Sequence, residues 1–272
     1  MGIIKKKKRE ELEEIIYYND ELNDDFAGSN ITPIIIDENY KYLHSNIFWK
    51  IGEFIVHRLL FTLPCYLYSK IKFDIKIENR DKIQMELKKG KGAFVYHNHT
   101  QVILDPFLPS FLAFPHKGYI IANPDNISMP VLGKLNRMMG AIPVPGNIKA
   151  TKNFMNAIEY YINKGKMISI YPEAHIWPYY TGIRNFKEVS FKCPVKYDVP
   201  IFTCTTTYYK ERNKVKIKLF VDGPFYPNHD LNNKMATKEL RDIAYNTMLS
   251  RAQKENKYVK IKYIRKNKED GK

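Results

Sequence analysis

Cysteine is scarce in this chain: three residues in 272, Cys65, Cys193 and Cys204, far apart and with no CxxC pair. That spacing offers neither a disulfide framework nor a zinc knuckle, and a reducing compartment fits it best. Long apolar runs are also missing. No stretch approaches the roughly 18 uninterrupted apolar residues of a clean transmembrane helix. The start carries basic residues, Lys5 to Arg9, with Glu10 to Glu14 rather than an apolar segment behind them, so a signal peptide is not expected. Lys6 breaks the N-myristoylation pattern. Acidic residues are outnumbered, 29 against 44 Lys and Arg, for a net charge of +15. Such a field draws polyanions: nucleic acid, an anionic membrane surface or phosphorylated substrates. A biased composition, rich in Lys, Ile, Asn and Tyr, accounts for it equally well. No helix-turn-helix, RNP or zinc signature is present and the lysines are spread along the chain, so nucleic acid is not an expected partner.

What is present is globular in character, with 44% hydrophobic and 27% charged residues. No internal repeat is evident. Residues 1–45 are charged and rich in Asn and Asp; they read as an appended helix, Arg9 to Tyr18, followed by a loose and mobile connector. Residues 46–72 form an amphipathic segment in which Lys50, Glu53, His57 and Arg58 interrupt Trp49, Ile51, Phe54, Leu59 and Leu67, and Pro64 introduces a kink. Aromatic residues beside basic ones suit a helix lying in a membrane interface; an ordinary core helix has the same pattern.

From residue 73 to 272 short apolar runs alternate with helical periodicity. Strands are expected at 73–77, 92–96, 119–122, 141–144, 167–171, 201–207 and 215–221, and helices at 107–114, 151–163 and 235–254. The first of these helices follows Asp105-Pro106, which reads as N-cap then N1. This alternation predicts a single α/β domain with a mostly parallel central sheet flanked by helices, preceded by the N-terminal amphipathic helical region. In such sheets, sites gather at the carboxyl ends of strands. His99 and Glu173 both fall there.

His99 and Asp105 form the first candidate site. A histidine titrates near neutral pH, and a carboxylate can fix its tautomer, which is what a general base requires. The two are six residues apart, so they meet only if a turn follows the strand. The plain alternative is a loop histidine and an acid that only caps a helix. His97-x-His99 also resembles the opening of a metallohydrolase site, but His116, His175 and His229 supply no HxxxH or HxxEH partner, and no metal is expected.

Asn98-His99 with Asp105, Gly140-Ala141-Ile142-Pro143-Val144, Tyr171-Pro172-Glu173 and Val199-Pro200-Ile201 occur in this order. Together they resemble the four sequence blocks of the glycerolipid acyltransferase family, whose best-known members are 1-acyl-glycerol-3-phosphate acyltransferases. The likeness spans roughly residues 75–220. Its first block, NHxxxxD, carries one extra residue here. The resemblance implies transfer of a fatty acyl group from acyl-CoA or acyl carrier protein to a lysophospholipid hydroxyl, with no cofactor. His99 would be the base and Asp105 its orienting acid. Glu173 would belong to the acceptor-binding block, ordering a donor or holding a basic residue. Amides near Asp105 or Gly140 would serve the oxyanion. A peripheral or monotopic place on the cytoplasmic face of the cell membrane is likewise implied.

Two departures matter. The third block runs Ala174-His175-Ile176 where the family has Gly-Thr-Arg, and the second has Pro145-Gly146 where the family has Asp-Arg. The acceptor phosphate must find other cations: Arg184 and Lys187 first, then Lys149 and Lys152, unless these are ordinary solvated charges. A catalytically silent or altered-acceptor lipid-binding relative is the competing expectation. Trp177, Tyr179 and Tyr180 would either line an acyl groove or pack in the core.

Overall fold

The structure is a computed structural model that describes residues 14–28 and 31–266. Its elements run β1 (Glu14–Tyr18), α1 (Ile47–Phe54), a π-helical stretch (Ile55–Thr62), α2 (Leu63–Phe73), β2 (Lys76–Glu78), α3 (Arg80–Leu87), β3 (Ala93–His97), α4 (Leu108–Ala113), β4 (Gly118–Ala122), α5 (Asp125–Ser128), α6 (Leu132–Met139), β5 (Ala141–Pro143), α7 (Ile148–Asn163) and β6 (Met167–Ile170). A 3₁₀ turn (Glu188–Phe191), α8 (Lys192–Tyr197), β7 (Ile201–Glu211), β8 (Lys214–Phe225), α9 (Asn233–Glu255) and β9 (Ile261–Arg265) follow. From residue 73 onward the expected strands and helices are all present, displaced by a few residues at their ends.

Seven strands form the central sheet in the order β2-β8-β7-β3-β6-β4-β5. Every neighbouring pair is parallel except β7 with β8, which is antiparallel. That pair is a hairpin, turned at Arg212 and Asn213, which both have positive φ, the requirement of the tight turn that matches strand twist. β3 is apolar at nearly every position and buried throughout, as a central parallel strand covered on both faces must be. On one face Ala93 and Val95 of β3 meet Ile83 and Leu87 of α3 and Leu108 and Phe111 of α4. On the other, Phe94 and Tyr96 meet Ile158 and Ile162 of α7 and Leu240, Ala244 and Met248 of α9. Both long helices start at a true cap: Asn147 accepts from the Ala150 amide and Asn232 from the Met235 amide.

Helical structure runs unbroken from Ile47 to Phe73, opened by the Asn46 side chain, which accepts from the Phe48 amide. Pro64 sits in the first turn of α2, and the π-helical turns end immediately before it. Proline removes an amide donor, and wider turns let the chain pass that point without ending the helix. None of the helices among the described residues is long and apolar enough to cross a membrane.

Three local expectations are corrected. Residues 9–13 of the expected first helix lie outside the described residues, but Glu14–Tyr18 is a strand, pairing in parallel with β9 from Glu14↔Ile261 to Tyr18↔Arg265. Its sequence, Glu-Ile-Ile-Tyr-Tyr, is rich in β-branched and aromatic residues, and Tyr18 packs against Trp177 at 4.7 Å. The connector is also tied down: Ile36 is buried, its carbonyl accepts from the Gly146 amide, and the Tyr42 hydroxyl donates to the Pro143 carbonyl. Finally, α4 begins at Leu108 without a side-chain cap, so Asp105 does not cap it.

Candidate active site

The site is built where β3 ends. Asn98 stays in register with β7: its side-chain oxygen accepts from the Thr206 amide and its side-chain amide donates to the Thr206 carbonyl. The chain then leaves the sheet at His99, and the Asp105 amide closes a turn onto the Gln101 carbonyl. That turn absorbs the extra residue of the first block. His99 Nδ1 lies 2.7 Å from Asp105 Oδ2. The same oxygen accepts from the Thr100 and Gln101 amides, each at 3.0 Å. Three donors on one oxygen fix the carboxylate, and the carboxylate fixes the ring.

Asp105 is completely buried, whereas 16% of the His99 side chain is exposed. Burial raises the Asp105 carboxyl above its ordinary range, against the lowering effect of His99 and the two amides. With Nδ1 engaged by a carboxylate, the neutral ring carries its proton there and presents Nε2 with a lone pair. Tyr171 supports this from the end of β6: its ring lies 4.3 Å from the His99 ring and its hydroxyl donates to the Asp105 carbonyl at 2.6 Å. Tyr208 of β7 holds the intervening loop, touching Thr100 Oγ1 at 2.7 Å and accepting from Gln101 Nε2 at 2.9 Å. From the sequence, Tyr171 entered only as a member of the third block, with no role of its own, and Tyr208 was not singled out. Tyr208 lies 108 residues from Thr100, with no local signal.

Glu173 reaches the same centre. Its Oε2 accepts from the His99 amide at 3.2 Å, and from the Arg184 guanidinium at 3.2 Å, while its Oε1 accepts from the Arg184 amide at 3.1 Å. Burial raises this carboxyl, with Arg184 opposing. Arg184 itself has no exposed side-chain surface. Its guanidinium also donates to the carbonyls of His175 and Glu21 and lies over the Trp177 ring at 4.8 Å. Trp177 is core: it packs between Tyr18, Phe26 and Tyr263, and its indole N–H donates to the Asp24 carbonyl. Lys187 and Lys149 are exposed, the latter in the first turn of α7, just beyond the carboxyl end of β5. The amides expected to serve the oxyanion are occupied: those of Phe107 and Leu108 bond to the Leu104 carbonyl, and that of Gly140 to the Arg137 carbonyl. Among the described residues no group of His, Cys, Asp and Glu could hold a metal ion.

A model of the Acyltransferase family matches residues 74–207, the span that carries every one of these side chains from His99 to Lys187. This segment is an acyltransferase-family domain. The fold is also that of a solved structure, the 1-acyl-sn-glycerophosphate (LPA) acyltransferase PlsC from Thermotoga maritima, with a TM-score of 0.51, 16% identity, and coverage of 76% of this chain and 83% of that one. No curated protein matches the chain in sequence at a significant level.

Proposed function

We propose that this chain is a membrane-associated O-acyltransferase that moves a fatty acyl group from acyl-CoA or acyl carrier protein to a lysophospholipid. The proposed acceptor is 1-acyl-sn-glycerol 3-phosphate and the product phosphatidic acid. The observation that carries the reading is the 2.7 Å contact between His99 Nδ1 and Asp105 Oδ2, inside an acyltransferase-family domain. An alcohol is a poor nucleophile until its proton is removed as the new bond forms. His99 Nε2 takes the hydroxyl proton, the acceptor oxygen attacks the thioester carbon, and the carbon–sulfur bond breaks. The proton then passes from His99 to the departing thiolate. Asp105 stays ionised and stabilises the imidazolium between the two transfers. No acyl-enzyme is required.

The membrane part rests on the helical segment from Ile47 to Phe73. Its exposed face carries Phe48, Ile51, Ile55, Leu59, Leu63 and Leu67, an apolar stripe suited to lying in the interface. Arg184 is enclosed by protein, so the acceptor phosphate is assigned instead to the exposed Lys187 and Lys149, with Arg184 holding Glu173. That enclosure also favours a second reading, a relative with an altered acceptor. An acceptor screen separates them: lysophosphatidic acid and other lysophospholipids are supplied with acyl-CoA or acyl carrier protein, and free thiol is followed. Thiol release with lysophosphatidic acid is expected. Release only with another acceptor selects the second reading, and no release from any pair overturns the enzyme assignment.

A further inference from the structure

A cavity of about 350 Å³ opens between α1 and the β4–β5 edge of the sheet, away from His99. Its wall carries three cations, Lys50, Lys117 and Arg137, against one carboxylate, Glu53. Glu53 is committed to Lys117. Arg137 lies over the rings of Tyr40 and Trp49 and contacts the His44 ring nitrogen and the Lys41 carbonyl through a single terminal nitrogen, leaving the rest of its fork uncommitted. Tyr119 and Tyr161 stack at 4.0 Å, and their hydroxyls have no protein partner among the described residues, yet neither is sealed from the cavity. Surplus cations and free phenolic donors around one concavity make an anion receptor, and a guanidinium with phenols suits phosphate oxygens.

Strand register places the cavity. Tyr119 stands level with Ile168, and Ile168 with Phe94, five residues before His99 and two strands across. At about 3.3 Å per residue and about 4.8 Å between strands, its backbone lies roughly 19 Å from that of His99. The phosphate and the reacting hydroxyl of a glycerophospholipid acceptor are a few bonds apart on one glycerol. One acceptor cannot fill both places. The same helix that supplies Trp49 and Glu53 to the cavity exposes Phe48, Ile51 and Phe54 on its other side, so the mouth borders the apolar face.

We infer that this cavity is a second phosphate site, which takes the headgroup of an anionic bilayer phospholipid while the neighbouring apolar face sits in the interface. It rests on the membrane-associated reading above. The cavity gives the protein a means to sense anionic lipid apart from its acceptor, and it anchors α1 beside β5.

The test uses the full chain and flotation with vesicles of phosphatidylcholine alone or doped with phosphatidylglycerol. Wild type, Arg137→Gln, Tyr161→Phe and, as a charge-matched control, the exposed Lys164→Gln are compared. On neutral vesicles all four bind alike. On anionic vesicles Arg137→Gln binds about tenfold more weakly, the scale of one charge-assisted contact. Tyr161→Phe moves in the same direction without changing the charge, and Lys164→Gln matches wild type. Equal losses for Arg137→Gln and Lys164→Gln would overturn the site in favour of bulk charge, leaving membrane association intact. Release of wild type from anionic vesicles by free CoA, with an Arg137→Gln defect confined to the thioester KM, would assign the cavity to the donor and also overturn it. Failure to bind either vesicle removes this site and the membrane reading together, but not the thiol-release result.

Discussion

The buried Asp105 carboxylate governs His99 through one oxygen, which takes the Nδ1 proton and two backbone amides. Loss of the base is expected to lower turnover by about 10²–10⁴-fold in His99→Ala, with vesicle binding unchanged; substantial residual thiol release would remove the base assignment. Arg184 belongs to the same scale. Breaking a buried ion pair from one side strands the other charge, so Arg184→Ala should cost about 3–5 kcal/mol in urea unfolding. Glu173→Gln in the same chain should restore part of that loss, since the surviving partner is then neutral. If Arg184→Ala left stability intact and raised only the acceptor KM, its role would be phosphate binding after all. Nothing in Gly182-Ile183-Arg184-Asn185 tells whether the cation faces water. The answer lies in Glu173, eleven residues earlier, and in Glu21, from the opposite end of the chain.

At the scale of elements, the helical segment from Ile47 to Phe73 has two faces with different tests. Its outer apolar stripe touches no protein core, so Ile51→Ser with Ile55→Ser should change stability by no more than about 0.5 kcal/mol per site while reducing binding to neutral vesicles. Unaltered binding would show that another surface meets the lipid. On the inner face His57 is buried, with Nε2 2.8 Å from the Ser110 hydroxyl, and burial holds its pKa down to about 4. The unfolded chain, with an ordinary value near 6.5, binds the proton first. Stability contributed by neutral His57 is therefore complete above about pH 6.5 and is lost as pH falls toward 4. His57→Gln keeps a hydrogen-bonding group without the titration. The advantage of wild type over this variant, measured by urea melts, should shrink from pH 7 to pH 5; Asp105 and Glu173 titrate in both proteins and cancel. A constant difference would show that His57 is not held neutral. Most elements were legible because their signal is local: the apolar run of β3 and the four-residue spacing of Leu240, Ala244 and Met248. β1 was not legible, because short Ile- and Tyr-rich segments suit helix or strand and its partner β9 lies almost 250 residues away.

Across the whole molecule the charge of +15 is spread widely, so some attraction to anionic surfaces is independent of any site. Binding of wild type to anionic vesicles should weaken as salt rises, while binding to neutral vesicles should not, because apolar burial is not screened. The sequence by itself determined the α/β alternation, the ordered blocks and the residues His99, Asp105 and Glu173, since strand-end position and side-chain chemistry are written in consecutive residues. Only the tertiary structure decided how they are arranged. It showed that a turn brings His99 and Asp105 to 2.7 Å despite the extra residue, that Arg184 is sealed behind Trp177, and that the first strand closes against the last. Each of these is a matter of burial and contact between distant segments, and burial is a property of what the rest of the chain covers.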